Sequence, residues 1–222
     1  VPLTEIIPKG FMAVRKGKRN MSWRADKPAT LAYVEALDGG DPANKVEFRD
    51  EIFLWNAPFD AAATSLVKTP QRYDRIIWGN DNVAIISNEW YDTRNTKTYV
   101  IKPSNPSQGP KVIFDRNAQD AYSDPGNFET RKNQYNRYVL AIENDNAYLI
   151  GNGFTKNGQF PFISEFNLKT LQTNRLYTST YKDKKEDLLE IEDFKKGTVL
   201  VQIQSKNEYP NYYLRNFKQK NK

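Results

Sequence analysis

Apolar and polar residues alternate along most of the chain in short runs, and turn sequences such as Asp-Gly, Asn-Gly and Pro-Gly separate the runs. Alternation places every second side chain on one face of an extended segment, so it is typical of half-buried β-strands. The pattern therefore predicts an all-β chain of many short antiparallel strands. The predicted strands span residues 20–24, 30–36, 51–56, 75–78, 83–90, 98–102, 111–115, 138–143, 147–151, 162–168, 174–177, 198–204 and 212–217.

One further segment, residues 184–195, fits two patterns. Leu188, Ile191 and Phe194 have the spacing of one helical face, but Leu189 breaks that stripe and the neighbouring segments are strand-like. We therefore predict a strand there rather than a helix.

Two similar segments indicate that the strands form a repeat. The sequence Trp-Arg-Ala-Asp at Trp23 and the sequence Trp-Gly-Asn-Asp at Trp78 lie 55 residues apart, and each is followed by an Ala at the same distance. A unit of roughly 50 residues with four strands has the period of kelch-like propeller blades. We predict a β-propeller fragment of about four blades, each of four antiparallel strands. The predicted blades span residues 11–69, 70–116, 133–180 and 185–217.

Two architectures fit this number of blades, a small closed propeller or an arc of a larger one. A blade is a four-stranded sheet that packs against its neighbours, and ring closure protects the sheet edges. The last predicted unit ends after the hairpin of residues 198–217, and residues 6–11 look like the end of a preceding blade. We therefore expect an arc, with possible self-association through exposed blade edges.

The chain of 222 residues contains no His and no Cys. A serine or cysteine peptidase of the usual kind needs an imidazole to take the nucleophile's proton, so no such triad can be completed within this chain. Zinc sites with thiolate or imidazole ligands are excluded for the same reason. The best calcium candidate, residues 119–126, does not have the EF-hand spacing, and a turn stabilised by Asp124 explains it better. We predict no catalytic residue, no metal and no cofactor in this chain.

The net charge of +6 and the pI near 9.2 raise the question of nucleic-acid binding. The charges are interspersed, and the one basic block is the terminal set of Lys218, Lys220 and Lys222. We therefore predict no nucleic-acid partner. No apolar run is long enough to span a bilayer, so we also predict no membrane association. Residues 1–4 lack the features of a signal peptide, which leaves the compartment open.

Acidic residues and the Trp-x-x-Asp pair have structural interpretations. The five carboxylates between residues 35 and 50 could suggest the paired acids of a glycosidase, but nothing in the sequence sets two of them at the required separation. They are Glu35, Asp38, Asp41, Glu47 and Asp50. In the Trp-x-x-Asp segments we predict a Trp packed between blades and an Asp that closes the following turn onto its own backbone.

Taken in order, several segments resemble the glutamyl endopeptidase branch of the prolyl oligopeptidase family of serine peptidases. The resemblance runs from about Pro8 to Tyr213. The segments that carry it are residues 22–31, 35–41, 72–73, 89–94, 114–116, 122–126 and 161–162. Members of that family join an N-terminal propeller, commonly of seven blades, to a C-terminal α/β-hydrolase domain with a Ser, Asp and His triad. This chain resembles only the propeller portion.

The resemblance implies a non-catalytic propeller segment of a serine endopeptidase that gates the active site and helps to recognise peptide. The expected partners are a peptide substrate and the α/β-hydrolase domain of the same protein. The alternative is an autonomous propeller that binds a protein or glycan partner. Related bacterial peptidases often look exported, and the Asn- and Lys-rich composition hints at a bacterial source, so we expect a periplasmic or secreted protein, with the cytoplasm as the alternative.

Arginines at strand ends are the substrate-binding candidates, because a guanidinium fork can bind the carboxylate of an acidic substrate residue. Arg94 ranks first, since it closes a long inner strand at a turn where a side chain can face the cavity. Arg24 and Arg49 follow, and Arg116 has a similar setting. The default interpretation for all of them is ion pairing with neighbouring carboxylates between blades.

Overall fold

The structure is a computed structural model that describes residues 6–219. These residues divide into two compact units. Unit 1 contains residues 6–118 and 132–139, and unit 2 contains residues 119–131 and 140–219.

Unit 1 is built from two four-stranded antiparallel sheets in which consecutive strands are neighbours. Sheet I has the order β1 to β4 and sheet II the order β5 to β8. The strands of sheet I are β1 (Arg19–Trp23), β2 (Thr30–Ala36), β3 (Asp50–Asn56) and β4 (Thr64–Thr69). Those of sheet II are β5 (Arg72–Asn80), β6 (Val83–Trp90), β7 (Asn95–Ile101) and β8 (Lys111–Asn117).

Alternation along the strands produces the core of unit 1. Ala32 and Val34 of β2 point to the same face of sheet I as Ile52 of β3, and all three are buried. They form one apolar cluster with Trp78 and Ile86 of sheet II. The two sheets of unit 1 therefore share a core made by every second residue of their strands.

Unit 2 begins with short strands and ends with two larger sheets. Sheet III contains β9, β12, β13, β16 and β17, and sheet IV contains β18, β19 and β20. The short strands are β9 (Asn127–Phe128), β10 (Thr130–Lys132), β11 (Tyr138–Leu140), β12 (Ile142–Glu143), β14 (Phe154–Thr155) and β15 (Gly158–Gln159). The longer ones are β13 (Asn146–Gly151), β16 (Phe162–Asn167), β17 (Thr173–Thr178), β18 (Lys185–Asp193), β19 (Thr198–Ser205) and β20 (Glu208–Asn216).

Sheet III has four strand positions although five strands belong to it. Both β12 and β9 pair with β13, but β12 pairs with residues 146–147 and β9 with residues 149–150. Since β16 occupies the other side of β13, the two short strands together fill one position. Sheet IV packs on sheet III through a cluster that includes Ile163, Leu188, Val199 and Val201.

A hairpin formed by β10 and β11 has its tip, residues 132–139, in unit 1. The Asn133 side-chain amide donates to the Ala25 carbonyl oxygen at 2.9 Å. The Arg137 guanidinium donates to the carbonyl oxygens of Arg24 and Lys27 at 3.3 and 3.0 Å. We call this tip the clasp, because it holds the turn between β1 and β2.

The predicted fold class is confirmed: the described residues are nearly all β, and four-stranded antiparallel meanders of the kind that form propeller blades recur along the chain. The strand predicted at residues 184–195 is present as β18. The predicted strands do not include β4, β9, β10, β14 and β15. The strand predicted at residues 138–143 is divided into β11 and β12, and β5 begins at Arg72 rather than at residue 75. No helix within residues 6–219 is long and apolar enough to cross a membrane.

Candidate functional site

The candidate arginines lie at the two ends of unit 1. Arg24 lies in the turn between β1 and β2, and Arg49 directly precedes β3. Because β2 runs from one of these connections to the other, they are at opposite ends of sheet I. Arg94 lies in the turn between β6 and β7. Trp90 is the last residue of β6, and the Arg49 guanidinium lies over its ring, 3.9 Å from the centroid. The structure thus brings Arg49 and Arg94 to one end, the β2–β3 end, and leaves Arg24 at the other, the β1–β2 end.

At the β1–β2 end, Arg24 is buried and binds two carboxylates. Its Nε and Nη2 donate to the two carboxylate oxygens of Asp26, each at 2.8 Å, and Nη2 also donates to Asp81 of sheet II at 2.9 Å. The guanidinium lies 4.9 Å from the ring centroid of Trp78. Lys27 donates to the second carboxylate oxygen of Asp81, and this hydrogen bond, with the Arg24 charge, lowers the pKa of the Asp81 carboxyl. Arg24 therefore links the two Trp-x-x-Asp segments.

This geometry corrects the interpretation of the Trp-x-x-Asp pair. The carboxylates of Asp26 and Asp81 accept from the side chains just named rather than from the following backbone, and Asn80 is the residue whose side chain accepts from the turn, from the Asn82 N–H. Trp78 is buried in the core of unit 1 as predicted, whereas the side chain of Trp23 is half exposed. Two segments that share the Trp-x-x-Asp pattern thus have different environments.

At the β2–β3 end, two aspartates are completely buried around one arginine. Asp38 and Asp50 have side chains with 0% exposure, and Arg72 joins them. Arg72 donates to both carboxylate oxygens of Asp38, at 3.0 and 2.7 Å, and to Asp50 at 2.9 Å. Its Nε donates to the carbonyl oxygen of Met12 at 2.8 Å. The Arg72 guanidinium therefore forms hydrogen bonds with both aspartates and also binds the N-terminal segment at Met12.

Two further arginines complete the cluster around these aspartates. Arg49 pairs with Asp38 at 2.8 Å, and Arg19 pairs with Asp50 at 2.5 Å. Buried carboxylates are costly unless they are paired and hydrogen-bonded, so the three arginines offset the cost of burying both acids inside the unit. Arg49 is thus engaged by an internal carboxylate and by the Trp90 ring.

Two backbone N–H groups and a close backbone contact at Gly40 complete the environment of the two aspartates. The N–H of Gly40 donates to Asp38 at 2.9 Å, and the N–H of Tyr73 donates to Asp50 at 2.7 Å. Gly40 has φ +80°, and a Cβ there would lie 1.9 Å from the carbonyl oxygen of Val14. Only glycine allows this approach. Asp38 therefore both closes its turn and holds an ion pair, a role that the sequence analysis did not assign to it.

Arg94 has a different environment from the other candidates. Its guanidinium lies 3.6 Å from the ring centroid of Tyr91, and Tyr91 is stacked on Phe11 at 4.4 Å between centroids with an interplanar angle of 8°. Within residues 6–219, no carboxylate lies at ion-pair distance from Arg94, so the ion pair with a neighbouring carboxylate that was its default interpretation is not formed. We call Phe11, Tyr91 and Arg94 the aromatic stack.

A titratable group in unit 2 was not singled out by the sequence. Burial raises the pKa of the Glu129 carboxyl to about 7, the backbone N–H of Ile191 opposes this rise, and the charge of Glu190 adds to it. Within the part of the chain that the structure describes, no three acidic side chains group closely enough to hold a metal ion. Among the described residues, Glu129 therefore belongs to no group that could form a metal site.

No family model matches the chain. Among solved structures, TolB from Acinetobacter baumannii is 15% identical with a TM-score of 0.40, over 86% of this chain and 40% of that chain.

Two plant proteins are much more similar in sequence. A probable glutamyl endopeptidase, chloroplastic, from Oryza sativa subsp. japonica is 35% identical over 232 residues, and its counterpart from Arabidopsis thaliana is 36% identical over 233 residues. Each alignment covers 96% of this chain and 24% of the relative. Both relatives are plant proteins, so they lend no support to the expected bacterial source or to a periplasmic or secreted location. The resemblance found in the sequence is confirmed: this chain is homologous to about a quarter of each of these two probable glutamyl endopeptidases.

Proposed function

We propose that this chain is the non-catalytic propeller segment of a glutamyl endopeptidase-like peptidase and that it gates the catalytic domain and recognises acidic peptide residues. The homology to glutamyl endopeptidases and the blade-like sheets support a peptidase-associated propeller. A chain without His has no imidazole for the usual triad, so the hydrolysis would be carried out by another part of the protein.

One observation carries the recognition part of the proposal. Arg24 and Arg49 each hold internal carboxylates, whereas Arg94 contacts only the Tyr91 ring and has no acidic partner within residues 6–219. A guanidinium with unused donors at a turn can form a two-point contact with a ligand carboxylate. Arg94 is therefore the candidate for the substrate's acidic side chain, and the other two arginines are better explained as internal ion-pair partners.

The aromatic stack favours this role energetically. A stacked ring and a guanidinium cannot occupy the same face of Tyr91, so Phe11 supports the ring from the side opposite Arg94. Cation–π contact fixes the guanidinium plane before a ligand arrives, which reduces the ordering cost of binding. Hydrogen bonds to charged groups contribute about 1.5–3 kcal/mol when desolvated, and a partly exposed site such as this one gives less.

Peptide binding by the 222-residue chain tests the proposal. A fluorescein-labelled hexapeptide with one Glu and the same peptide with Gln are titrated, with anisotropy as the readout. We expect about threefold to tenfold tighter binding of the Glu peptide, a difference that shrinks in 0.5 M NaCl because salt screens exposed charges. Arg94→Gln should abolish the difference.

Arg175→Gln is the matched control. Arg175 also lies on an aromatic ring, 3.3 Å from the Phe162 centroid, but in unit 2. This variant should keep the preference for Glu. Equal binding of both peptides by the unaltered chain, or a preference that survives Arg94→Gln, would overturn the proposal and leave an autonomous module for a protein or glycan partner as the better interpretation.

A further inference from the structure

Residues 10–16 precede β1 and lie along the β2–β3 end of unit 1, and we call them the strap. They belong to none of the described strands, but hydrogen bonds fix their backbone at three places. These join the Met12 carbonyl oxygen to Arg72 Nε at 2.8 Å, the Val14 N–H to the Gly40 carbonyl oxygen at 3.0 Å, and the Lys16 carbonyl oxygen to the Ala36 N–H at 3.3 Å. The strap is therefore attached both to sheet I and to the first residue of sheet II.

A turn at the start of the strap places Phe11 against Tyr91. The N–H of Ala13 donates to the Gly10 carbonyl oxygen at 3.3 Å, and Met12 within this turn has φ +66°. Residues other than glycine rarely adopt this left-handed conformation, and surrounding contacts must hold them in it. The hydrogen bond from Arg72 to the Met12 carbonyl oxygen is such a contact. The position of the Phe11 ring therefore depends on the attachment of the strap.

The backbone of Arg94 is also fixed, but its side chain is held by the aromatic stack. Arg94 has φ +55°, its N–H donates to the Tyr91 carbonyl oxygen at 3.2 Å, and its carbonyl oxygen accepts from the Ala118 N–H at 2.7 Å. Its guanidinium lies 3.6 Å from the centroid of the Tyr91 ring, whose other face stacks on Phe11. The direction of the guanidinium therefore depends on the Tyr91 ring and, through that ring, on Phe11.

We propose that the strap positions the Arg94 guanidinium, and that Arg72 and Gly40 are positioning residues for the site that recognises acidic peptide residues. The contacts form a continuous path from the buried ion pairs through the strap to the aromatic stack. The consequence for binding rests on the proposed function of Arg94, whereas the positioning can be measured without a peptide. Coupling along such a path needs a direct test, because contact alone does not establish it.

Two adjacent glycines provide a matched pair of variants. Gly39 and Gly40 have φ +70° and +80°, so an alanine at either position has similar backbone strain. A Cβ at Gly40 would lie 1.9 Å from the carbonyl oxygen of Val14, whereas the atom nearest to a Cβ at Gly39 is Nδ2 of Asn44 at 3.9 Å. Gly40→Ala should therefore displace the strap, and Gly39→Ala should leave it in place.

The NMR signal of the Arg94 Nε–H group in the peptide-free chain measures the positioning. The ring current of Tyr91 shifts this proton upfield, and the signal is identified by its loss in Arg94→Gln. We expect Gly40→Ala to move the signal downfield, towards the position of a free arginine side chain, and Gly39→Ala to leave it unchanged. An unchanged signal in Gly40→Ala, or equal shifts in the two variants, would overturn the proposal.

The labelled Glu and Gln peptides measure the consequence for binding. Gly40→Ala should reduce the preference for Glu from about threefold to tenfold to less than about twofold, whereas Gly39→Ala should retain it. A preference that persists in Gly40→Ala although the Arg94 signal has moved would contradict the positioning role. Equal binding of the two peptides by the unaltered chain would instead contradict the proposed function of Arg94, and the NMR shift would still decide whether the strap positions it.

Phe11→Ala keeps the proposal testable if circular dichroism shows that Gly40→Ala does not fold. This variant removes the ring that joins the strap to Tyr91 and leaves the three backbone attachments of the strap unaltered. The Arg94 signal should again move downfield, because the Tyr91 ring has lost its support. An unchanged signal in a folded Phe11→Ala chain would overturn the proposal.

Discussion

Both ends of unit 1 contain arginine–carboxylate ion pairs, but the carboxylates that join the sheets differ in their exposure to solvent. At the β1–β2 end, Arg24 joins the two sheets through Asp81, whose side chain is 47% exposed. At the β2–β3 end, Arg72 joins Asp38 and Asp50, which have no exposed side-chain surface. Exposed ion pairs contribute little, whereas a buried carboxylate that loses its partner is costly. The position of an ion pair in the fold, rather than its residue types, therefore determines what its loss does.

We expect the largest loss of stability when Arg72, the partner of the buried Asp38 and Asp50, is replaced. Arg72→Met leaves two carboxylates buried with fewer counter-charges, so the free energy of unfolding should fall by about 3–5 kcal/mol. Urea denaturation measures this loss. The control is Arg131→Met, which breaks the exposed pair with Glu143 and should cost less than about 1 kcal/mol. Equal losses in the two variants would mean that burial does not separate the two kinds of pair.

A smaller, pH-dependent effect is expected at the β1–β2 end. The hydrogen bond from Lys27 and the charge of Arg24 lower the pKa of Asp81 in the folded state, so this pair stabilises the fold above the ordinary pKa of Asp. The contribution is lost as pH falls through the lowered value. Asp81→Asn should therefore cost up to about 1 kcal/mol at pH 7 and nothing near pH 2, as measured by urea denaturation at each pH.

The opposite trend for Asp81→Asn, with a larger loss in acid, would contradict this assignment. Asp145→Asn is the control, because Asp145 pairs with an exposed lysine, Lys169, and no arginine contacts it in the described structure. At pH 7 it should cost less stability than Asp81→Asn.

The smallest effect should come from Arg94, which lies at the same end as the buried cluster but pairs with no described carboxylate. Arg94→Gln removes one partly exposed cation–π contact, which contributes about 0.5–1 kcal/mol. Thermal unfolding should shift by only a few degrees. A loss comparable to that of Arg72→Met would assign Arg94 to the structural group and remove the basis for its proposed ligand role.

The strand pattern was predictable because alternation is local. Sheets I and II follow the predicted repeat, and β18 was distinguished from a helix by Leu189 and by its strand-like neighbouring segments. The short strands β9, β14 and β15 escaped prediction because two residues carry no period. β4 escaped because its buried apolar residues, Leu66 and Val67, are adjacent instead of alternating.

The ion-pair clusters could not be predicted in the same way. Asp38, Asp50 and Arg72 belong to three separate elements, and their contact exists only when the two sheets of unit 1 pack together. Arg72 lies in a segment that carried the family resemblance, and that was its one signal in the sequence. Likewise, Trp23 and Trp78 begin the same Trp-x-x-Asp pattern, but only Trp78 is buried in the core that the two sheets share.

The clasp has a consequence for synthesis of the chain. Its hydrogen bonds join residues 108 to 113 positions apart, so the turn at Arg24 is made long before Asn133 and Arg137 reach it. At about 5–20 residues per second, a ribosome takes on the order of ten seconds to add that stretch. Sheets I and II, whose pairings are local, can form during this interval. The hydrogen bonds of the clasp would then form last, after Asn133 and Arg137 have been synthesised. Their formation would complete the folding of unit 1.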